Sequence, residues 1–153
     1  KAIGRKSLAV AFVERREVSA GGADEMLYLS EYFQAQGLHA VVVDPRDPDY
    51  LLLATRGDGV LISRDGCQSW ETSNDGLGSP FVNTIAYDPQ SPNTIYAGTD
   101  GGAYVSFNGG ATWGPINDGL LGALVIYSIV IDPQSNVYGA TPYGVFKLQA
   151  AAP

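Results

Sequence analysis

The sequence predicts a mainly β protein made of tandem antiparallel sheets, and three observations predict it. Asp-Pro pairs fall at 44, 88 and 132, a step of 44 each time. Tryptophans at 70 and 113, and Asn-Asp-Gly-Leu beginning at 74 and 117, recur at a step of 43. Between these markers lie short, β-branched apolar runs cut by glycine and proline, which a helical repeat with 3.6-residue periodicity could not use. A period near 40–45 residues with several short strands per unit is that of propeller blades. The expected architecture is therefore a partial β-propeller, two full blades plus three strands of a third, preceded by a strand–helix segment.

Residues 1–37 do not match the repeat. Leu8–Val13 reads as a strand, Ser19–Gly22 as a turn, and Ala23–Gln36 as a helix with Leu27, Tyr28, Tyr32 and Phe33 on its apolar stripe and Gly37 as its stop. Followed by Leu38–Val43, this is the pattern of a βαβ unit. Residues 8–47, through the run Gln36–Arg46, resemble the βαβ start of the domain that precedes the ATP-grasp domain in glutathionylspermidine-synthase-like ligases. No ATP-binding residue follows, so that resemblance implies no catalysis. In the other reading, Leu8–Val13 completes a blade and the helix packs outside it.

The blades divide as 38–80, 81–124 and 125–148, with 149–153 as a tail. Their first strands are Leu38–Val43, Val82–Tyr87 and Ile126–Ile131, nearly all apolar and expected to be inner strands covered on both faces. Asp-Pro ends each, because proline offers no ladder N–H and aspartate bonds nearby backbone N–H groups. The second strands are Leu51–Thr55, Thr94–Thr99 and Asn136–Thr141. The third are Gly59–Ser63, Gly102–Ser106 and Gly144–Leu148.

After the third strand comes Ser63-Arg64-Asp65-Gly66-Cys67-Gln68-Ser69-Trp70, repeated as Ser106-Phe107-Asn108-Gly109-Gly110-Ala111-Thr112-Trp113. Asp65 or Asn108 is expected to cap a turn, Gly66, Gly109 and Gly110 to supply positive φ, and Trp70 and Trp113 to fold back as plugs. The octapeptides resemble the Asp-box (BNR-like repeat) of sialidase-like, xyloglucanase-like, sortilin-like and photosystem-assembly-factor-like propellers. That resemblance implies a structural role for Ser63, Asp65, Gly66, Trp70, Ser106, Asn108, Gly109, Gly110, Thr112 and Trp113.

With 45% hydrophobic and 16% charged residues, the chain has the composition of a folded domain and not of a disordered one. Residues 1–37 hold five basic and five acidic groups, so the whole net charge of −7 falls on 38–153. That acidity disfavours nucleic acid and anionic membrane surfaces as partners. No apolar run reaches the length of a membrane span. A single cysteine excludes an internal disulfide and leaves the compartment open, with an extracellular or periplasmic place ahead of a cytoplasmic one.

The candidate chemistry is sparse. His39 is the one histidine and stands in a strand, so no metal site is expected, and no cofactor motif is present. Asp100, in Thr99-Asp100-Gly101-Gly102, is similar to the Thr-Asp-x-Gly-Gly stretch that carries a catalytic aspartate in xyloglucanase-like propellers, with Asp58 at the corresponding place of the first unit. Glycosidases need two carboxylates. Arg46, Arg56 and Arg64 all fall in one blade and do not make the arginine cluster of a sialidase. Arg56-Gly57-Asp58 spells an integrin-type tripeptide, weighed as chance. Tyr87, Tyr96, Tyr104, Tyr127, Tyr138 and Tyr143 read as blade packing ahead of a sugar platform, and Cys67 as an exposed turn thiol.

The expected function is a non-catalytic propeller module for protein binding, scaffolding or assembly, completed by self-association or by a further part of the chain, since a closed ring needs about four to eight blades. The alternative is part of a carbohydrate-active propeller with Asp100 as a catalytic carboxylate. The expected partner is a protein or a second copy, with carbohydrate as the other candidate.

Overall fold

A computed structural model describes residues 38–148 other than Leu121 and Ala123. The expected strand–helix segment of 1–37, most of the βαβ pattern and the tail 149–153 lie outside the described residues.

Among the described residues all regular structure is β, in three antiparallel sheets that each follow chain order. The first contains β1 (Leu38–Asp44), β2 (Asp47–Thr55), β3 (Val60–Ser63) and β4 (Glu71–Thr72). The second contains β5 (Val82–Tyr87), β6 (Ile95–Thr99), β7 (Gly102–Ser106) and β8 (Gly114–Pro115). The third contains β9 (Ser128–Ile131), β10 (Val137–Thr141) and β11 (Gly144–Leu148). This is a mainly β chain with a partial propeller of two four-stranded blades and three strands of another. Leu38–Asp44 pairs antiparallel with β2, inside the first sheet.

The Asp-Pro punctuation works as the chemistry of the pair dictates. Asp44 Oδ1 accepts the N–H of Arg46 at 2.8 Å, and Asp88 and Asp132 accept those of Gln90 and Gln134 at 2.9 Å. Each strand therefore closes on its own carboxylate two residues before the chain reverses. The Asn-Asp-Gly-Leu repeats also have a backbone task. Asn74 Oδ1 accepts the N–H of Val60, and Asn117 Oδ1 that of Ala103, both at 2.8 Å. The asparagines thus supply the partner that the start of each third strand lacks. Gly59 and Gly102 must be glycines there: both have positive φ, and a Cβ would lie 2.2 and 2.4 Å from those same Oδ1 atoms.

The core sits between the sheets. Leu52, Ala54, Val60 and Ile62 of the first pack against Ile85, Ile95, Ala97, Tyr104 and Trp113 of the second. Tyr96, Ala103 and Val105 of the second pack against Ile129, Val137 and Leu148 of the third. Burying each large side chain stabilises by about 1.5–3 kcal/mol, so the joints outweigh any single turn. The expectation that the first strands are covered on both faces needs correction. β2 from Leu51 onward, β3, β6 and β7 are buried throughout, whereas β5 and β9 alternate with half-buried or exposed positions and Val43 of β1 is 46% exposed. Neighbouring sheets nonetheless approach most closely at the first strands, β5 lying against β1 and β2 on one side and β9 on the other, and these strands form one edge of each sheet.

The two tryptophans occupy corresponding places on different sheets. Trp113 lies in the first joint, and its Nε1–H donates to the Ser73 carbonyl of the preceding sheet at 2.9 Å. Trp70 packs with Leu51, Leu53, Leu61 and Cys67 on the opposite face of the first sheet, and its buried Nε1–H has no hydrogen-bond partner among the described residues. Trp113→Phe is therefore expected to cost about 1 kcal/mol more than Trp70→Phe, because only the former leaves a buried carbonyl without its donor. Urea unfolding of the two variants measures the difference. Equal losses would show that the indole bond contributes nothing net.

Candidate functional site

The turns that follow β3 and β7 share one geometry. Ser63 Oγ donates to Asp65 Oδ1 and accepts the N–H of Cys67, each at 2.9 Å. Asp65 Oδ1 takes the N–H of Ser69 at 2.9 Å, and Oδ2 the Ser69 hydroxyl at 2.6 Å. In the second copy Ser106 Oγ donates to Asn108 Oδ1 at 2.8 Å and accepts from Gly110 at 2.9 Å, while Asn108 binds Thr112 through both backbone and side chain. Residues 66 and 67, like 109 and 110, have positive φ, so Cys67 holds at φ 73 a conformation that Gly110 adopts freely. Cys67 is buried against the Trp70 cluster, which corrects the reading of an accessible turn thiol. The polar side chains of both turns are engaged in hydrogen bonds within their own turns.

The opposite end of the stack is built differently. There the second strand of each sheet turns into the third, and the same device closes all three turns. Thr55, Thr99 and Thr141 each donate their hydroxyl to the carbonyl of Gly59, Gly102 and Gly144, at 2.9, 2.9 and 3.0 Å. The same hydroxyls accept the N–H of Asp58, Gly101 and Tyr143. By these bonds Asp58 stands where Gly101 and Tyr143 stand, and the residue that follows the threonine, as Asp100 does, is Arg56 in the first sheet.

Arg56 and Asp100 meet across the first joint. Arg56 Nη2 lies 3.0 Å from Asp100 Oδ2, and Asn83 Nδ2 donates to Asp100 Oδ1 at 2.8 Å. Asn83 also accepts from Arg56 Nη1 at 3.2 Å and donates to the Ile126 carbonyl of the next sheet at 3.1 Å. The β1 and β5 ladders both skip a residue here, at His39 and at Asn83, and in β5 that bulge releases Asn83 to the joint. The Arg56 guanidinium lies 5.9 Å from the Phe81 ring centre, within cation–π reach. Both Asp100 oxygens are thus engaged, one by a cation and one by an amide. The Asp58 carboxylate has no hydrogen bond among the described residues, and its side chain is exposed.

The tyrosines divide between packing and display. Tyr96 and Tyr104 are buried, and Tyr87 and Tyr138 are half-buried. Burial pushes the Tyr87 phenol well above the ordinary tyrosine range and raises that of Tyr96. Tyr127 and Tyr143 are 57% and 77% exposed, and with exposed Phe81 they belong to the Arg56–Asp100 end. The arginines do not cluster. Arg46 binds Asp44 and Asn93 at the far end, where Arg64 pairs with Glu71 and lies over the Tyr50 ring. His39 lies in β1, and among the described residues no group of His, Cys, Asp or Glu could hold a metal ion. The Arg56–Asn83–Asp100 cluster was hidden in the sequence because Arg56 and Asp100 become partners only when consecutive sheets stack. Their 44-residue separation, the length of the repeat, was the available signal.

No family model and no curated protein matches the chain. Solved structures do. An ancestral GH74 enzyme is similar at 26% identity and TM-score 0.56 over 72% of this chain and 17% of its own. The extracellular domain of BT4673 from B. thetaiotaomicron is similar at 21% identity and TM-score 0.55, over 72% of this chain and 15% of its own. YCF48 bound to D1 peptide is similar at 17% identity and TM-score 0.57, over 73% of this chain and 36% of its own. These likenesses show a propeller fold, of which the chain spans a minor part of each structure's length.

The turn geometry sets an acid response. Hydrogen bonds from Ser69 hold the Asp65 carboxyl below the ordinary range, as Arg46 does for Asp44 and Asn136 for Asp132. A carboxyl lowered by folding stabilises fully above its unfolded value of about 3.9, and that contribution is lost as pH falls through the lowered native value. Asn108 performs the Asp65 role without titrating, so Asp65→Asn should keep the turn. The melting-temperature gap between wild type and Asp65→Asn should shrink as pH falls from about 5 to 2. A gap independent of pH would show that Asp65 is not proton-linked to folding.

Proposed function

We propose that the chain is a non-catalytic propeller module of the Asp-box type that binds a protein partner at the end bearing Arg56, Asn83 and Asp100. The observation that carries this reading is the engagement of both Asp100 oxygens across the first joint. A general acid or base needs a free oxygen in reach of the reacting group, whereas this carboxylate acts as a clamp between sheets. At the same end stand Phe81, whose ring lies under Arg56, and the exposed rings of Tyr127 and Tyr143, residue types enriched in protein interfaces. The peptide bound by YCF48 and the extracellular domain among the similar structures support a binding role, and with it an extracellular or periplasmic place. Assembly with further blades, from a longer chain or from other copies, belongs to the same reading.

The GH74 likeness favours the second reading, in which Asp100 is a catalytic carboxylate and Asp58 its counterpart on a carbohydrate-binding propeller. One experiment separates the two. In the clamp reading, the wild-type chain releases no reducing ends from xyloglucan or other β-glucans, and Asp100→Asn only lowers stability, by about 0.5–1 kcal/mol for a partly exposed pair. Peptides selected on the wild-type surface then fail to bind a Tyr127→Ala/Tyr143→Ala variant. Polysaccharide cleavage that disappears in Asp100→Asn would overturn the binding-module reading in favour of the enzyme.

A further inference from the structure

The turns that follow β3 and β7 differ at one chemically reactive position. Where the first has Asp65 the second has Asn108, and Asn108 is the one asparagine in the sequence that glycine follows. A glycine nitrogen carries no Cβ beside it to hinder closure of a five-membered ring on the preceding asparagine Cγ. Nor is the space around Gly109 crowded. Among the described residues the nearest atom to the place of a Cβ is Tyr50 Oη, at 3.7 Å.

The turn holds the Asn108 amide as an acyl-transfer site holds its carbonyl. Asn108 Oδ1 accepts the Ser106 hydroxyl at 2.8 Å and the Thr112 N–H at 3.0 Å. Two donors thus point at the atom where negative charge develops when a nucleophile adds to Cγ. Asn108 Nδ2, which must leave as ammonia, lies 2.9 Å from the Thr112 hydroxyl. As an amide it donates to that oxygen. Once it becomes an amine it can take the hydroxyl proton over the same distance. The nucleophile is the group held back, because the Gly109 N–H donates to the Asn93 carbonyl between β5 and β6 at 2.9 Å. Attack waits on release of that bond. The first turn displays the product: Asp65 takes the Ser63 hydroxyl, the Ser69 N–H and the Ser69 hydroxyl in the same arrangement. An aspartate at 108 therefore fits. An isoaspartate would lengthen the main chain just before Gly110, where a Cβ would already lie 2.8 Å from Leu52.

We propose that Asn108 is a self-modification site, at which the folded turn converts asparagine to aspartate with water as co-reactant and ammonia as leaving group. The Gly109 nitrogen gives its proton to solvent and bonds to Asn108 Cγ. The Cγ–Nδ2 bond breaks, and ammonia leaves with the Thr112 hydroxyl proton, which solvent replaces. Water then adds to Cγ of the succinimide. The bond from Cγ to the Gly109 nitrogen breaks, and that nitrogen regains a proton, so the original peptide bond is restored. Ser106 and Thr112 polarise the same carbonyl in both steps. They direct water to Cγ and not to the main-chain carbonyl, and the product is aspartate. The second turn then matches the first, and the chain gains one negative charge. This inference needs nothing from the Arg56–Asp100 end, so either can fail without the other.

The full chain is incubated in mildly alkaline buffer at physiological temperature, beside a free peptide of residues 103–116. Both are followed by mass spectrometry with fragmentation that separates aspartate from isoaspartate. In the protein, deamidation is expected at Asn108 and at no other asparagine, with aspartate in excess. The free peptide, which lacks the turn, is expected to give mainly isoaspartate. Thr112→Val should slow conversion in the protein about tenfold, whereas Thr112→Ser, which keeps the hydroxyl, should convert at the wild-type rate. Cooperative melting of both variants separates lost chemistry from a lost turn, and the product ratio in the wild-type chain tests the proposal even if Thr112→Val does not fold. An intact Asn108 in the folded chain after the peptide is consumed would overturn the proposal. Excess isoaspartate in the folded chain would do the same, as would a folded Thr112→Val that converts as fast as wild type.

Discussion

The structure depends on a single constraint: a sheet that is apolar on both faces cannot stand in water and must be covered by another sheet. In the first joint that constraint is met by a specific arrangement around Trp113. The ring fills the joint, its Nε1–H reaches the Ser73 carbonyl, and its backbone N–H reaches the Asp75 carbonyl at 2.8 Å. Ser73 in turn donates its hydroxyl to the Gly110 carbonyl. The segment that leaves one sheet is therefore held by the turn of the next. This explains why a two-residue strand as short as β4 persists at all. Its stability comes from the neighbouring sheet and not from its own ladder.

The two ends of the stack consequently have different freedom. At the end with the Asp-Pro turns, side chains close their own loops, and the joints are sealed by Arg46 with Asn93, Ser135 with Asp88 at 2.6 Å, and Gln90 with the Pro133 carbonyl. At the other end the turns are closed by buried threonine hydroxyls. The residues beside them are left to vary: arginine, aspartate and proline follow the three threonines. A fold that fixes a turn through one residue and leaves the adjacent residue unconstrained is suited to carrying different functions on the same frame.

Most of the frame was legible in the sequence, because its determinants lie within one repeat. The Asp-Pro spacing reports local bonds that the structure contains, and the apolar runs and tryptophans report its buried strands and plugs. What escaped is what depends on two repeats together. The Arg56–Asp100 pair cannot be seen from either turn alone, and Cys67 reads as an exposed turn residue until the Trp70 cluster is built around it. The first strands looked like inner strands sealed on both faces because their composition is apolar. They do line the approach between sheets, but an apolar composition does not report how much of each side chain the neighbouring sheet leaves open to solvent. Residue correspondence was also obscured by the extra residue in the Thr55–Gly59 turn, which shifts Asp58 against Asp100.

At the threonine end both joints have neutral backbone bonds, from the Gly57 and Gly59 N–H groups to the Pro80 carbonyl in the first and from the Ile126 N–H to the Thr99 carbonyl in the second. The first adds the charged pair Arg56–Asp100, whereas the second adds a neutral bond from Asn83 to the Ile126 carbonyl. Dissolved ions screen a partly exposed charged pair and leave an amide–carbonyl bond largely untouched. Ionic strength should therefore weaken one contribution to the first joint and leave those of the second unchanged, while the buried side chains keep both closed.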